Sequence, residues 1–427
     1  SGFHTVFDVT PQMWTFEKAD YRAFVSIQGH ETTSFDHAAW RTLLLRGIAW
    51  AGKRDVALLL KPGEADALAY PPGGPVKPED ASKLLEVHPD FDLSLVASEP
   101  LIEKPISLDW DARGRMWVAQ SPGYPDKERF SGVPAHDEIV ILADADGDGR
   151  MESKKVFHTG LDLVTSLVFH RDGIIVSDAP DILWLRDTNG DDVCDKVETV
   201  FTGFGFGDTH AVMSNLRWGL DGWIYATQGY SGGDSRHVTN AAGHDFGHIG
   251  NGIFRFKPDG SAIEMVSSYG SNTWGLDFSS DGELFFSMAN GDHLRHVVMT
   301  EGALAEARYG DAQSWAYIAD HDRVVPLLTH TDAPYAQIDF VGGFTACSGC
   351  CLYNGGAWPK EWDNACFVAE PTVHLVHHDV LTPDGVTFKA TKAREAEFFA
   401  GKDLWFRPIH MRVGPDGALY VLDFYNQ

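Results

Sequence analysis

The sequence predicts a mainly β protein, a six-bladed β-propeller preceded by a small α/β fragment. Three observations carry that expectation. One hairpin motif recurs along residues 89–427, residues 1–60 hold a helix-period stretch beside a strand, and a Pro/Gly-rich break lies between them. With 43 Gly and 13 Trp in 427 residues, the composition suits many tight turns between aromatic-rich strands.

Residues 1–60 are the α/β fragment. YRAFVSIQGH reads as a strand running into a loop, and DHAAWRTLLLRGIAWAG puts Trp40, Leu43, Leu44, Ile48 and Trp50 on one helical face, with Asp36 as its cap. The strand, the Gly29-His30 pair and a helix ending in G-I-x-W-A resemble the C-terminal end of trehalose-utilisation (ThuA-like) domains, which implies a flavodoxin-like fragment. So short a piece must lean on other residues to bury a core. Residues 61–88 follow as a linker, where Pro71, Pro72, Gly73, Gly74, Pro75 and Pro78 forbid a regular element.

Between residues 89 and 427 the copies are SLDWDARGRMWVA, SLVFHRDGIIVSD, NLRWGLDGWIYAT, GLDFSSDGELFFS and MRVGPDGALYVLD, with turn glycines at 114, 173, 222, 282 and 417. Each is a β-hairpin whose glycine supplies the positive φ of the turn. A sixth unit fits the long last interval, in CLYNGGAWPKEWDNACFVAEP around Asn364. A repeat of this length cannot bury both faces of its sheet alone, so the units must pack side by side, as in a propeller.

The formal charge of −27 repels phosphate backbones and anionic membrane surfaces, which disfavours nucleic-acid binding. No apolar run reaches the ~18 residues of a membrane span. The opening SGFHTVFDVT and the ending LYVLDFYNQ read as parts of a longer polypeptide.

Two acidic loops are candidate calcium sites, because carboxylates at alternate turn positions converge on one point. In ADADGDGRMES these are Asp144, Asp146, Asp148 and Glu152. In RDTNGDDVCDKVE they are Asp187, Asn189, Asp191, Asp195 and Glu198, near the spacing of an EF-hand loop. Asp, Asn and Gly are also good turn formers, so a plain turn is the competing account.

A propeller gathers its incoming loops round a central channel, so those loops are where polar residues distant in sequence can meet. GDTHAVMSNLRWG offers His210, Asn215 and Arg217; YGSNTWGLDF offers Asn272 and Trp274; MANGDHLRH offers Asn290, Asp292 and His293; LWFRPIHMRVG offers Arg407 and His410, with Asp423 and Tyr425 beyond. Together with FDLSLVASEP, GRMWVAQSPGYP, RWGLDGWIYATQGYSGG and GIFRFKPDG, these stretches resemble the membrane-bound dehydrogenase propeller family. That family is usually fused to a CxxCH cytochrome c domain and is distantly similar to pyrroloquinoline quinone (PQQ) sugar dehydrogenases.

The resemblance implies His210 as general base, since imidazole can take a hydroxyl proton at neutral pH while hydride passes to the quinone. It implies Asn215, Asn272, Asp292, His293 and Arg407 as cofactor or substrate contacts. The relatives' R-N-P-x-G becomes Ser271-Asn272-Thr273-Trp274-Gly275, which lacks the arginine and leaves Arg407 as the clamp. Calcium, PQQ, a carbohydrate or alcohol substrate, a c-type cytochrome partner and a periplasmic or secreted location follow from the same resemblance. The alternatives are a non-catalytic carbohydrate- or protein-binding propeller, and a calcium-dependent lactonase using Asn215, Asn272, Asp292 and Asp423.

Five cysteines stand at 194, 347, 350, 351 and 366. CSGCC is not followed by His, so it is no CxxCH motif and no covalent haem is expected in this chain. Cys350 and Cys351 are candidates for a vicinal disulfide, Cys347 or Cys366 for pairing with one of them, and Cys194 for a free thiol. A packed, chemically quiet core is the alternative for the buried group.

Overall fold

A computed structural model describes residues 13–18, 21–27, 35, 38–59, 74–126, 132–289, 293–308, 312–328 and 342–426. The chain divides into a unit of residues 1–77 and a larger unit of residues 78–427.

In the smaller unit, β1 (Met13–Lys18) and β2 (Tyr21–Ser26) form an antiparallel pair, and helix α1 spans Ala38–Ala51. The helix seats Gly47 and Ala49, not the expected leucine stripe. A Cβ at Gly47 would stand 2.4 Å from the Phe24 ring, while Leu43 and Ile48 are exposed. Ile48 lies one position off the 3.6-residue spacing that joins Trp40, Leu44 and Gly47, which is why the expected face splits. Gly29, His30 and Asp36 lie outside the described residues.

The larger unit is mainly β. Its first sheet is β4 (Pro105–Trp110), β5 (Met116–Gln120), β6 (Asp137–Ala143) and β7 (Ser153–Leu161). The second is β8 (Val164–His170), β9 (Gly173–Asp178), β10 (Asp181–Arg186) and β11 (Lys196–Thr202), extended by β14 (His237–Asn240) and β15 (Asp245–His248). In the third are β12 (Met213–Trp218), β13 (Ile224–Gln228), β16 (Gly252–Phe256) and β17 (Ile263–Ser268).

The fourth holds β18 (Thr273–Phe278), β19 (Leu284–Met288), β20 (Arg295–Val297) and β21 (Trp315–Tyr317). The fifth runs β22 (Cys350–Leu352), β23 (Cys366–Glu370), β24 (Leu375–Asp384), β26 (Phe399–Gly401), β3 (Leu85–Val87), with β25 (Thr387–Lys392) also paired to β24. The sixth is the pair β27 (Pro408–Val413) and β28 (Leu419–Asp423). Residues 78–87, placed in the linker with Pro75 and Pro78, instead form a helical turn and then β3, the outer strand of the fifth sheet.

First strands touch in cyclic order: β4 against β8, β8 against β12, then β18, β22 and β27, and β27 against β4 again. Among the described residues, six apolar layers fill the gaps between successive sheets, from Val168, Phe201 and Phe254 between the second and third to Leu422, Leu108 and Val140 between the sixth and first. Each sheet is thus apolar on both faces and needs a neighbour on each side, the packing of a β-propeller. Five of the six first strands carry a bulge near their start, as at Ser214/Arg217 and Thr273/Leu276, which bends them where they line the centre.

Hairpin glycines 114, 222, 282 and 417 have φ of 76°, 72°, 86° and 80°, as the turns require, and Asn364 at φ 60° turns the β22–β23 hairpin. Gly173 is different. There Arg171 takes the positive φ, and Gly173 is needed because a Cβ would stand 2.0 Å from the Leu185 carbonyl oxygen of β10.

All five cysteines are free, so the expected vicinal disulfide does not form. Cys350 and Cys351 are successive residues of β22, and alternation sends Cys350 into the layer between sheets four and five and Cys351 into the layer between five and six. Burial pushes the thiols of Cys347, Cys350, Cys351 and Cys366 up from their ordinary value. Thiol titration without reductant is therefore expected to give five thiols in denaturant and one, Cys194, in the native protein; fewer than five in denaturant would contradict this packing.

Candidate functional site

The loops that enter the first strands meet those that follow the second strands. Three carboxylates, the buried Asp137 and Glu370 and the half-buried Asp423, hold them through backbone N–H groups. Asp137 accepts from Gly123, Leu163 and Val164, Glu370 from Thr345, Ala346 and Thr372, and Asp423 from Arg407 and Tyr425. A carboxylate buried among several donors fixes a loop more tightly than packing alone.

His210 stands on the loop before β12 with 66 % of its side chain exposed. Asp208 Oδ1 accepts from the His210 backbone N–H at 2.8 Å and faces ring Nδ1 at 3.0 Å, while Tyr230 donates its hydroxyl to Asp208 Oδ2. Ser231 ties the same loop, accepting from Asp208 N–H and donating to its carbonyl, both at 2.8 Å. With Nδ1–H engaged by a carboxylate, Nε2 carries the lone pair and points its basicity outward.

Partial burial alone would raise the Asp208 carboxyl, but the Tyr230 hydroxyl and the two His210 N–H groups outweigh it and hold it below its ordinary value. The same hydrogen bond pushes Tyr230 up to about 12. The Tyr124 ring, from the first sheet's loop, packs edge-on to His210 at 5.2 Å and to Phe424 of the sixth at 5.3 Å.

Asn272 lies beside this group. A Cβ on Gly229 would stand 2.4 Å from Asn272 Oδ1, so glycine is what allows the close approach. Asn272 Oδ1 and Gln228 Oε1 are buried and without hydrogen-bond partners, although Gln228 Nε2 reaches the carbonyls of Ala211 and Gly229.

The other expected residues fall elsewhere. Asn215, at φ 53° in the β12 bulge, donates to the Trp274 carbonyl at 2.7 Å and so ties the third sheet to the fourth. Arg407 belongs to a second cluster, where its Nη1 lies 3.2 Å from the Pro371 carbonyl and 2.6 Å from His374 Nδ1. Burial and that guanidinium lower His374 to about 4. His410 is buried, with its pKa lowered by burial and then by Arg217. His293 is buried against Asp379 at 2.7 Å, away from solvent, and Asn290 and Asp292 lie outside the described residues.

In the acidic loops, Asp144, Asp146, Asp148 and Glu152 bring one carboxylate oxygen each within 4.8 Å of one another on the β6–β7 connection. The second loop occupies the equivalent β10–β11 connection. There Asp187 accepts from the N–H groups of Gly190, Asp191 and Asp192, Asn189 and Asp191 cap following N–H groups, and Asp195 binds Thr188, while Glu198, already within β11, is paired with Arg186 and Lys196.

Asp208, Tyr230 and Tyr124 went unnoticed in the sequence. Only the Asp-Thr-His spacing of the first could have shown it. Sequence also assigned no proton to Asp423, whose burial pushes it up to about 7. The folded protein therefore keeps this proton at pH values where the unfolded chain, near 3.8, has lost it, and stability declines as pH rises between the two. Asp423→Asn, which retains the accepting oxygen, is expected to gain stability over wild type by up to about 1.4 kcal/mol per pH unit across that window. Chemical denaturation at several pH values checks this, and a pH-independent difference would contradict it.

No curated protein matches the sequence. Among solved structures the chain is similar to an oxidoreductase (glucose dehydrogenase) from Thermus thermophilus, at 17% identity and TM-score 0.49, covering 79% of this chain and 92% of that one. It is similar also to the holo PQQ domain of pyranose dehydrogenase from Coprinopsis cinerea, at 13% identity and TM-score 0.48, covering 82% and 96%. A gluconolactonase structure follows at 11% identity and TM-score 0.43, covering 76% and 87%. At such distances none of these activities transfers to this chain. Residues 77–427, which take in the whole larger unit, match the family described as Domain of unknown function (DUF7133), and the protein belongs to that family.

Proposed function

We propose that the larger unit is a six-bladed β-propeller whose mouth binds a sugar or other polyol, and that His210 there takes the proton of a ligand hydroxyl. The observation that carries this reading is the exposed His210–Asp208 dyad set beside two buried acceptors without partners. A hydroxyl-rich ligand supplies the O–H donors that Asn272 Oδ1 and Gln228 Oε1 lack. Nε2 of His210 then accepts a hydroxyl proton, and Asp208, itself held by Tyr230, stabilises the imidazolium that forms.

These are the substrate-side groups of a sugar or alcohol dehydrogenase, in which the hydride of the same carbon passes to a two-electron acceptor bound alongside the sugar, supplied in the assay by the artificial acceptor. The PQQ expected from the resemblance does not fit them. Its carboxylates and carbonyls are acceptors facing acceptors, while Arg407 is engaged by His374 and Pro371 and Lys104 by the carbonyls of Pro122 and Tyr124. No step in this reading uses it.

Calcium, in the same reading, belongs at the Asp144–Glu152 loop. A c-type cytochrome as electron acceptor, a periplasmic or secreted location and a ThuA-like origin for residues 1–60 accompany it as proposals. Lactone hydrolysis gains no support, because Asn215 is committed to the Trp274 carbonyl and Asp423 to loop amides. A non-catalytic carbohydrate-binding propeller is the second reading, favoured by the engaged cations.

Titration with a panel of aldoses and alditols, followed by oxidation assays with an artificial acceptor, separates the readings. Wild type is expected to bind at least one sugar and oxidise it. His210→Ala should lower turnover by about 10²–10⁴-fold with binding largely retained. Asn272→Leu should lose binding. Binding without turnover selects the second reading, and no binding at all overturns both.

A further inference from the structure

Three histidines and one aspartate converge inside the larger unit, between its fourth and fifth sheets. His293 precedes β20 and His321 follows β21, both in the fourth sheet, while His377 and Asp379 stand two residues apart on one face of β24 in the fifth. His293 Nε2 lies 2.7 Å from Asp379 Oδ2, His377 Nε2 3.3 Å from Asp379 Oδ1, and His321 Nε2 3.7 Å from the same oxygen. One ligand atom from each of the four falls within 4.8 Å of all the others. His293, His377 and Asp379 are buried at 0–1 % side-chain exposure, and His321 retains 16 %.

The tautomers say what belongs between them. His377 Nδ1 faces Glu397 Oε2 at 2.6 Å and His321 Nδ1 faces Asp320 Oδ1 at 2.9 Å, so both Nδ1 atoms carry hydrogen and both Nε2 atoms carry lone pairs. Yet those two Nε2 atoms are 3.0 Å apart. Two acceptors held face to face need a cation to share, either a proton or a metal ion. Carboxylates on the far ring nitrogens are also how proteins orient imidazoles toward a metal. Glu397 is itself fixed by the Val325 N–H at 2.7 Å and by Lys392 at 3.1 Å, and Phe344 stacks on the His293 ring at 3.9 Å.

We propose that His293, His321, His377 and Asp379 bind one divalent transition-metal ion, zinc being the ion best suited to three imidazoles and a carboxylate, and that this ion pins the fourth sheet to the fifth. Four protein groups close the coordination of such an ion, which makes its role structural. Oxygen-seeking calcium does not suit an imidazole-rich set, so the site is chemically distinct from the acidic loops.

Elemental analysis of untagged protein is expected to find about one equivalent of zinc or a related ion per chain. After removal by chelator, zinc should restore the ion and raise Tm, and Co2+ should give the visible bands of a four-coordinate nitrogen-ligated ion. His321→Ala, at the least buried ligand, should abolish the Co2+ bands. Asp320→Asn, a surface change, should weaken binding about 10–100-fold while leaving the fold intact by circular dichroism. Folded protein that takes up no transition metal would show that a proton occupies the gap and overturn the proposal. Unchanged binding in His321→Ala would overturn it equally, by placing the ion elsewhere.

Discussion

Closure of the ring is the constraint on which the rest of the molecule depends. Every sheet of the larger unit is apolar on both faces, so none can be stable without a neighbour on each side, and the sixth sheet must return to the first. Leu422, Tyr420 and Ile409 meet Leu108, Met116 and Val140 at that junction. Once the ring closes, first strands converge, and loops from the first, third, fourth and sixth sheets are brought side by side. The Tyr124–His210–Asp208–Tyr230 group exists only because of that convergence.

Buried charge then does at the mouth what apolar packing does between sheets. Asp137, Glu370 and Asp423 each gather backbone donors from two loops, and each is raised by burial while those donors pull it back. The balance differs among them with the number of donors and the nearness of other acids. The same logic extends to the histidine cluster, where Asp320 and Glu397 orient imidazoles across the gap between two sheets. There polar contacts add to the apolar layer of Phe285, Leu294 and Val368 between the same two sheets.

Much of the architecture was legible in the sequence because a hairpin with its Gly or Asn turn is a local signal, and it recurs. Asn364, picked out only by spacing, turns the β22–β23 hairpin as expected. Where reading failed, geometry beyond the local pattern decided. Strand alternation separated Cys350 from Cys351, and the close passage of β10, not the turn, required Gly173. The prolines at 75 and 78 hid a strand that is stable only against β26. Of the mouth residues, His210 was visible and its partners were not. The histidine cluster was less visible still, since its members are spread from 293 to 379 and share no motif beyond His377 and Asp379 on one strand.

The most direct measurement of the central claim is a crystal structure of the protein soaked with a monosaccharide it binds. The account predicts a sugar hydroxyl within hydrogen-bond distance of His210 Nε2, with other hydroxyls donating to Asn272 Oδ1 and Gln228 Oε1. A sugar seated elsewhere on the molecule, with His210 turned away from Asp208, would contradict it.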